Sequence, residues 1–300
     1  MQNFFVLGIC FSIGYFLKIT NRVPDNAHKT VNAFILHISL PAQVLVYAGN
    51  LSFKSDLLIP AGMAWIVFFL CFIILFSLKN FFNLNNKIVG CLLLTAGLGN
   101  TSFLGLPLIE AFFGKEFTAI GILCDQPGTF LVLSLVGIPI ALQASSISTN
   151  YLSLLKRIIT FPPFIAFVVS FSVANIELPI VLIKVLSRLG DTLAPLALFS
   201  VGFQFSIGSF KHYKKELLLG LFLKMILAPL VIFLFYILIL KNNSMYGKIS
   251  VFEAAMPPMI TGGIVAADND LAPELASMMI AMGVLLSIIT LPIWKYLLTT

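Results

Sequence analysis

Charge is what this chain lacks most, and its scarcity excludes an ordinary soluble fold. Asp, Glu, Lys and Arg make up 10% of the residues, against roughly 25% in soluble domains. No hydrophilic stretch is long enough to fold as a separate soluble domain. No Lys or Arg precedes the first apolar run, "MQNFFVLGIC", so the basic start of a secretory signal is missing and the run is expected to stay as a first helix. The four cysteines, Cys10, Cys71, Cys91 and Cys124, show neither CxxC spacing nor a nearby His. They read as small core residues and not as metal ligands. HExxH, GxSxG and aspartates at metal-binding spacing are missing too, so an intramembrane enzyme is not expected and no catalytic residue is assigned. A net charge of +6 could suggest an acidic partner, but in a membrane protein it more often reflects cytoplasmic loop charges; no metal, organic cofactor or nucleic-acid partner is expected.

Apolar residues are what remain: 59% of the chain, with a mean hydropathy of +1.05. A bilayer can solvate that much apolar surface and a soluble core cannot use it. At roughly 20 residues per helical span, the length allows about ten crossings. Apolar runs bounded by charges or turn residues predict helices over 3–20, 26–49, 55–78, 87–113, 116–143, 157–176, 178–207, 214–240, 247–267 and 272–298. The expected fold class is an all-α polytopic membrane protein of ten transmembrane helices. Lys18, Arg22 and Lys29 in the first loop, Lys79 and Lys87 in the third, Lys156 and Arg157 in the fifth and Lys211, Lys214 and Lys215 in the seventh outweigh the scattered lysines of the even loops. The positive-inside bias therefore predicts odd loops in the cytoplasm and both termini outside.

The two halves echo each other. "SLPAQVLVYAGNLSF" (39–53) is similar to "LAPLALFSVGFQFS" (193–206), with prolines offset by 154 residues. "SLVGIPI" (134–140) is similar to "SIITLPI" (287–293), with Ser and Pro both offset by 153 residues. Lys87-Ile88 matches Lys248-Ile249 at an offset of 161. Residues 1–143 thus read as one five-helix repeat, 144–156 as a cytoplasmic linker and 157–300 as a second repeat. An odd number of spans inverts the second copy, the architecture of many secondary transporters.

Such carriers bind near the membrane midplane, where corresponding helices break. The fourth run holds "GLGNTSFLGLP" (97–107), whose glycines, Asn-Thr-Ser triplet and Pro107 interrupt a helix. The ninth holds "EAAMPPMITGGIVAADND" (253–270), where Pro257-Pro258 and Gly262-Gly263 do the same. Helices 4 and 9 are therefore expected to be broken and to cross. Broken ends offer unpaired N–H groups at half-helix starts and carbonyls at half-helix ends. The starts favour an anion such as a carboxylate. The candidate substrate-binding residues are Asn100, Thr101, Ser102, Gly105, Pro107, Pro257, Pro258, Met259 and Thr261.

Those same stretches carry a family resemblance. "GNTSFLGLPLIEAFFG" (99–114) resembles the "N…F…GLP…FG" signature of the auxin efflux carrier family, which includes plant auxin exporters and bacterial permeases regarded as malonate transporters. "LAPLALFSVGFQF", "AAMPPMITGGIVA" and "SIITLPIW" resemble its seventh, ninth and tenth helices, so the likeness runs along the whole chain. The resemblance implies the inverted ten-helix fold shared with bile-acid symporters and some sodium/proton antiporters. It implies a scaffold of helices 1, 2, 6 and 7 that forms a homodimer, and a transport domain of helices 3–5 and 8–10 that moves like an elevator. It implies a bacterial cytoplasmic-membrane location, with Asn100 and Pro107 at one crossover and Pro257-Pro258 at the other. Glu110 and Asp125 depart from the family pattern.

Charges inside a span cost on the order of 2.5–3.5 kcal/mol each on the insertion scale. Asp125, Glu110 and Lys224 are the candidates for coupling to H+ or Na+. Glu253 is expected near the entrance of its helix and partly buried, Arg188 and Asp191 as a surface pair, and His37 as a satisfied core histidine. The expected function is a secondary carrier for a small organic acid. The alternative is a sodium/proton or other cation antiporter on the same architecture, exchanging at Asp125; a channel or receptor is a third.

Overall fold

The computed structural model describes residues 2–48, 57–145, 152, 155–156, 159–172, 178–204 and 213–299. Most of the expected linker at 144–156, and the loop charges at 54, 157 and 211, lie outside those residues. Among the described residues there is no strand, only an isolated antiparallel bridge between Gly99 and Pro258. The helices are α1 (Gln2–Ile19), α2 (Ala27–Tyr47), α3 (Leu58–Leu78), α4 (Asn86–Ala96), α5 (Thr101–Phe112) and α6 (Lys115–Ala144). They continue as α7 (Pro162–Ser172), α8 (Ile180–Gly190), α9 (Leu193–Gln204), α10 (Lys214–Ile239), α11 (Met245–Ala254), α12 (Ile260–Asp268) and α13 (Pro273–Thr299).

Among the described residues, five of these helices (α2, α3, α6, α10 and α13) are long and apolar enough to cross a membrane by themselves. The fourth and ninth predicted runs are each split in two, the ninth at Pro257-Pro258 as expected, but the fourth at residues 97–100. Pro107, expected at the crossover, lies inside α5, because the Gly-Leu-Gly-Asn stretch interrupts the helix before the proline is reached. The ends follow local chemistry. Asn85 caps α4 by accepting the Ile88 amide at 2.8 Å. Gly114 turns the chain between α5 and α6 at φ +115°, a left-handed conformation that a side chain would strain.

The chain divides into two compact units. The first comprises residues 1–54, 102–122 and 155–205, and the second 55–101, 123–154 and 206–300. In the first, α1 and α9 pack closely through glycine: a Cβ on Gly14 would overlap the Phe199 carbonyl, and one on Gly202 the Phe11 carbonyl. Such close approach is how membrane helices gain dispersion energy without a hydrophobic drive. Polar bonds join elements too: Ser200 to Asn32 at 2.5 Å, and Ser39 with Thr192 at 2.7 Å. The last pair lies 153 residues apart, the shift that relates the Ser and Pro of the two sequence halves.

In the second unit the broken helices form the interior. Ile88 to Ala96 of α4 and Ile249 to Ala254 of α11 are all buried, as expected of helices apolar on every side. The unbroken helices around them expose apolar stripes. On α10, Leu218, Phe222, Ile226, Leu230, Leu234 and Leu238 recur every four residues and all are exposed. Water would not tolerate so continuous a stripe on a monomer, whereas lipid does. His37, expected in a core, is instead exposed; its Nδ1 is 2.9 Å from the Ala33 carbonyl, so it is satisfied within its own helix.

Candidate functional site

The two breaks meet each other. Residues 97–100 and 255–259 leave the helical path and run antiparallel, with Gly99 bridged to Pro258. The Asn100 amide donates to the Pro257 carbonyl at 2.8 Å, and the Met259 amide donates to the Leu98 carbonyl at 3.1 Å. Each non-helical segment thus satisfies the other, which is how irregular backbone survives in an apolar interior. The amides of Asn100 and Met259, just ahead of the half-helix starts, are thus occupied by the opposite linker.

The half-helix carbonyl ends are occupied as well. Lys224 of α10 donates its ammonium to the carbonyl of Ala254, the last residue of α11, at 3.0 Å. A cation there complements the negative end of the helix dipole. At the other half-helix, the Cys71 thiol of α3 lies 3.6 Å from the carbonyl of Ala96, the last residue of α4. Two different side chains therefore cap the ends of α4 and α11, one charged and one neutral. Lys224 is 1% exposed, so it does not snorkel to an interface. Gly99 makes room for it: a Cβ there would lie 2.9 Å from the ammonium nitrogen.

Helix α6 brings a carboxylate to the same unit. Pro127 has no amide hydrogen, and the helix widens into π-type turns over Cys124–Phe130. Thr129 donates to the Cys124 carbonyl at 3.2 Å and the Trp65 indole to the Pro127 carbonyl at 3.1 Å, which supports the distorted backbone. Within this turn Asp125 is buried and accepts hydrogen bonds from Thr101 and Gln126, both at 2.6 Å. Donors of this kind stabilise an ionised carboxylate away from water. The break and the acid are thereby tied together through Thr101.

Glu253 is the residue that sequence reasoning misplaced. It is 0% exposed, on the last turn of α11. Among the described residues, neither of its carboxylate oxygens has a hydrogen-bond partner. Asp125 and Lys224 are the charged groups close enough to act on it. Its position four residues before Pro257 is the signal that could have found it, since a helix broken inside the membrane ends inside the membrane.

The structure brings Asn100, Thr101, Asp125, Lys224, Pro257, Pro258 and Met259 together in the second unit with Glu253. Thr261 sits in the first turn of α12 in that unit. Ser102, Gly105 and Pro107 fall in the first unit. So does Glu110, whose carboxylate is 3.4 Å from Lys115, while Lys115 also holds Asp191 at 2.7 Å. Asp191 therefore pairs with Lys115 and not with Arg188 as its spacing suggested, because the Lys115 ammonium reaches it across the fold.

Comparison with known proteins bears on this arrangement. A family model described as membrane transport protein matches residues 1–295. An uncharacterized transporter of Methanothermobacter thermautotrophicus is 27% identical over 291 residues, covering 95% of this chain and 94% of the relative. Another, of Methanocaldococcus jannaschii, is 24% identical over 307 residues, covering 99% of this chain and 98% of the relative. The uncharacterized transporter YfdV of Escherichia coli is 21% identical over 312 residues, covering 95% and 93%. The chain belongs to this membrane transport protein family, the auxin efflux carrier-like group whose signatures it carries, and it is a membrane transporter.

Proposed function

We propose that this transporter is a secondary carrier for a small organic anion, a mono- or dicarboxylate, that binds at the crossing of the two broken helices. The observation that carries this reading is the dry ammonium of Lys224 beside Gly99, at the point where the two linkers pair. A buried cation draws an anionic partner in low dielectric far more strongly than a surface lysine does. Two half-helices, α5 and α12, begin directly after the paired linkers, and helix starts favour negative charge. Asn100 supplies the directional contact: its amide hydrogen is committed to Pro257, so its part is played by the side-chain amide. Thr261 adds a hydroxyl in the first turn of α12.

The carrier works by alternating access, helices α3–α6 and α10–α13 moving as the transport body and α1, α2, α7, α8 and α9 serving as the scaffold through which two copies pair. The inverted repeat is supported by equivalent features in the two halves: paired breaks, and caps on the carbonyls of Ala96 and Ala254. The protein sits in a bacterial cytoplasmic membrane with both termini outside. Glu110, held by Lys115, has a structural role on this reading.

Flux into proteoliposomes tests the proposal. Labelled malonate, succinate or pyruvate should accumulate and exchange against the unlabelled acid. If none of a broad acid panel moves while a sodium or proton gradient collapses through the protein, it is a cation antiporter and the reading fails.

A further inference from the structure

We infer that Glu253 is a proton-carrying residue, held as the neutral acid in the closed interior, and that it couples anion movement to proton movement in the same direction. The inference rests on the anion-carrier reading and adds the coupling ion to it.

The argument starts from charge balance. Among the described residues, the interior of the second unit holds two carboxyl groups, Asp125 and Glu253, and one ammonium, Lys224, all at most 3% exposed. One cation can compensate one carboxylate. Among the described residues, the other titratable side chains close to this cluster are thiols and a phenol: Cys71 near Lys224, Cys124 near Glu253, and Tyr236 near Cys124. Hydrogen bonding decides which acid keeps its charge. Asp125 accepts from Thr101 and Gln126, whereas neither oxygen of Glu253 accepts a hydrogen bond among the described residues. An ionised carboxylate with neither water nor donors costs several kcal/mol, and such a group neutralises instead. One proton on Glu253 leaves Asp125 and Lys224 to offset each other.

The coupling follows from the same geometry. Lys224 donates to the carbonyl of Ala254, the residue next to Glu253. An anion attracted to Lys224 therefore arrives beside Glu253. With Glu253 ionised, that anion meets a like charge in a dry site, and with Glu253 protonated it does not. Proton and anion consequently favour each other's binding, and by linkage the preference is reciprocal. When the crossing opens to water, Glu253 is solvated and its O–H bond breaks heterolytically. The proton leaves to water on the side where the anion is released, and the carboxylate takes up a new proton on the side where the next anion binds. Nothing else changes protonation or oxidation state. A monovalent anion is then carried without net charge.

Infrared spectroscopy of the purified protein in lipid at neutral pH tests the assignment directly, and it does so without knowing the substrate. A carboxylic-acid carbonyl band is expected in the wild type. It should shift when glutamate is isotope-labelled, stay in place when aspartate is labelled, disappear in Glu253→Gln and persist in Asp125→Asn. Absence of a protonated-carboxyl band, or a band that follows aspartate labelling, overturns the inference. The labelling arm uses the unmodified protein, so a variant that fails to fold leaves the test intact. Proteoliposomes loaded with a pH-sensitive dye supply the second readout. Entry of labelled malonate, succinate or pyruvate should acidify the lumen in the wild type, and Glu253→Gln should lose that acidification. Acid uptake with no lumenal pH change overturns proton coupling and leaves the carrier reading standing. Absence of any acid flux counts against the carrier reading, while the infrared band still decides the protonation of Glu253.

Discussion

Two places in this molecule hold the same inventory, two carboxylates and a lysine, and treat it in opposite ways. In the first unit, Lys115 holds Glu110 at 3.4 Å and Asp191 at 2.7 Å, with Lys115 and Asp191 about half exposed at 48% and 50%. Water shares the work there, and each charge has a partner of opposite sign. In the second unit, Lys224, Asp125 and Glu253 are at most 3% exposed. Their charges are met by backbone carbonyls and neutral donors, and Glu253 accepts no hydrogen bond among the described residues. The lesson concerns cost. An exposed cluster is cheap to keep and cheap to lose, whereas a buried one persists at the expense of stability and so points to use.

Removing a cation from each cluster should separate them most sharply. Lys224→Met takes away the cation that acts on Glu253 and the cap on Ala254. Breaking a buried ionic arrangement typically costs roughly 3–5 kcal/mol, so a large fall in melting temperature and loss of organic-acid flux are expected. Adding Asp125→Asn to that variant should restore part of the stability but not the flux, because Asp125 is the charge that Lys224 offsets. If Lys224→Met melts where the wild type does, the buried cluster is no different from the exposed one and the comparison collapses.

A smaller effect should follow from Thr101→Val, which keeps the shape of the side chain and deletes a donor to Asp125. Hydrogen bonds to charged groups are worth about 1.5–3 kcal/mol. Thermal or denaturant melts should register a loss in that range, together with reduced flux. A neutral outcome would mean that Asp125 does not depend on the Thr101 hydroxyl. The smallest effect belongs to the exposed cluster. Lys115→Ala should cost about 0–1 kcal/mol and leave flux within about twofold of wild type, since partly exposed pairs contribute little. The difference should shrink further as salt is raised, whereas the Lys224 effect should hardly respond, because screening does not reach a dry site. A flux defect in Lys115→Ala would return Glu110 to the list of working residues.

Much of the architecture was legible from the order of residues. Apolar runs mark the helices because lipid exposure and burial both select the same side chains. Pro257-Pro258 marks one break because an imide has no hydrogen to donate, whereas Pro107 lies within α5 and the other break falls earlier, at 97–100. Asn100, Pro257, Pro258 and Met259 were placed at the crossing by that logic, and the structure puts them there. What could not be read was the pairing of two breaks so distant in the chain. Hydropathy sums along the sequence and is blind to a partner far away. For the same reason the amides of Asn100 and Met259 looked open when they are bonded across the crossing. Glu253 was misread because an acid at the edge of an apolar run normally marks an interface, and here the edge of the run lies at a break. The two caps were equally hidden: nothing in the sequence shows that Cys71 and Lys224 serve the last carbonyls of α4 and α11, those of Ala96 and Ala254.

The central claim is that a carboxylate binds at the crossing, beside Asn100. A thermal-shift screen of the purified protein against mono- and dicarboxylates, run on wild type and Asn100→Ala side by side, tests it most directly. The account predicts that at least one acid raises the melting temperature of the wild type in a concentration-dependent way. The folded Asn100→Ala protein should show no such rise with the same acid. Equal stabilisation of both proteins, or stabilisation of the wild type by sodium but by no acid, would contradict it.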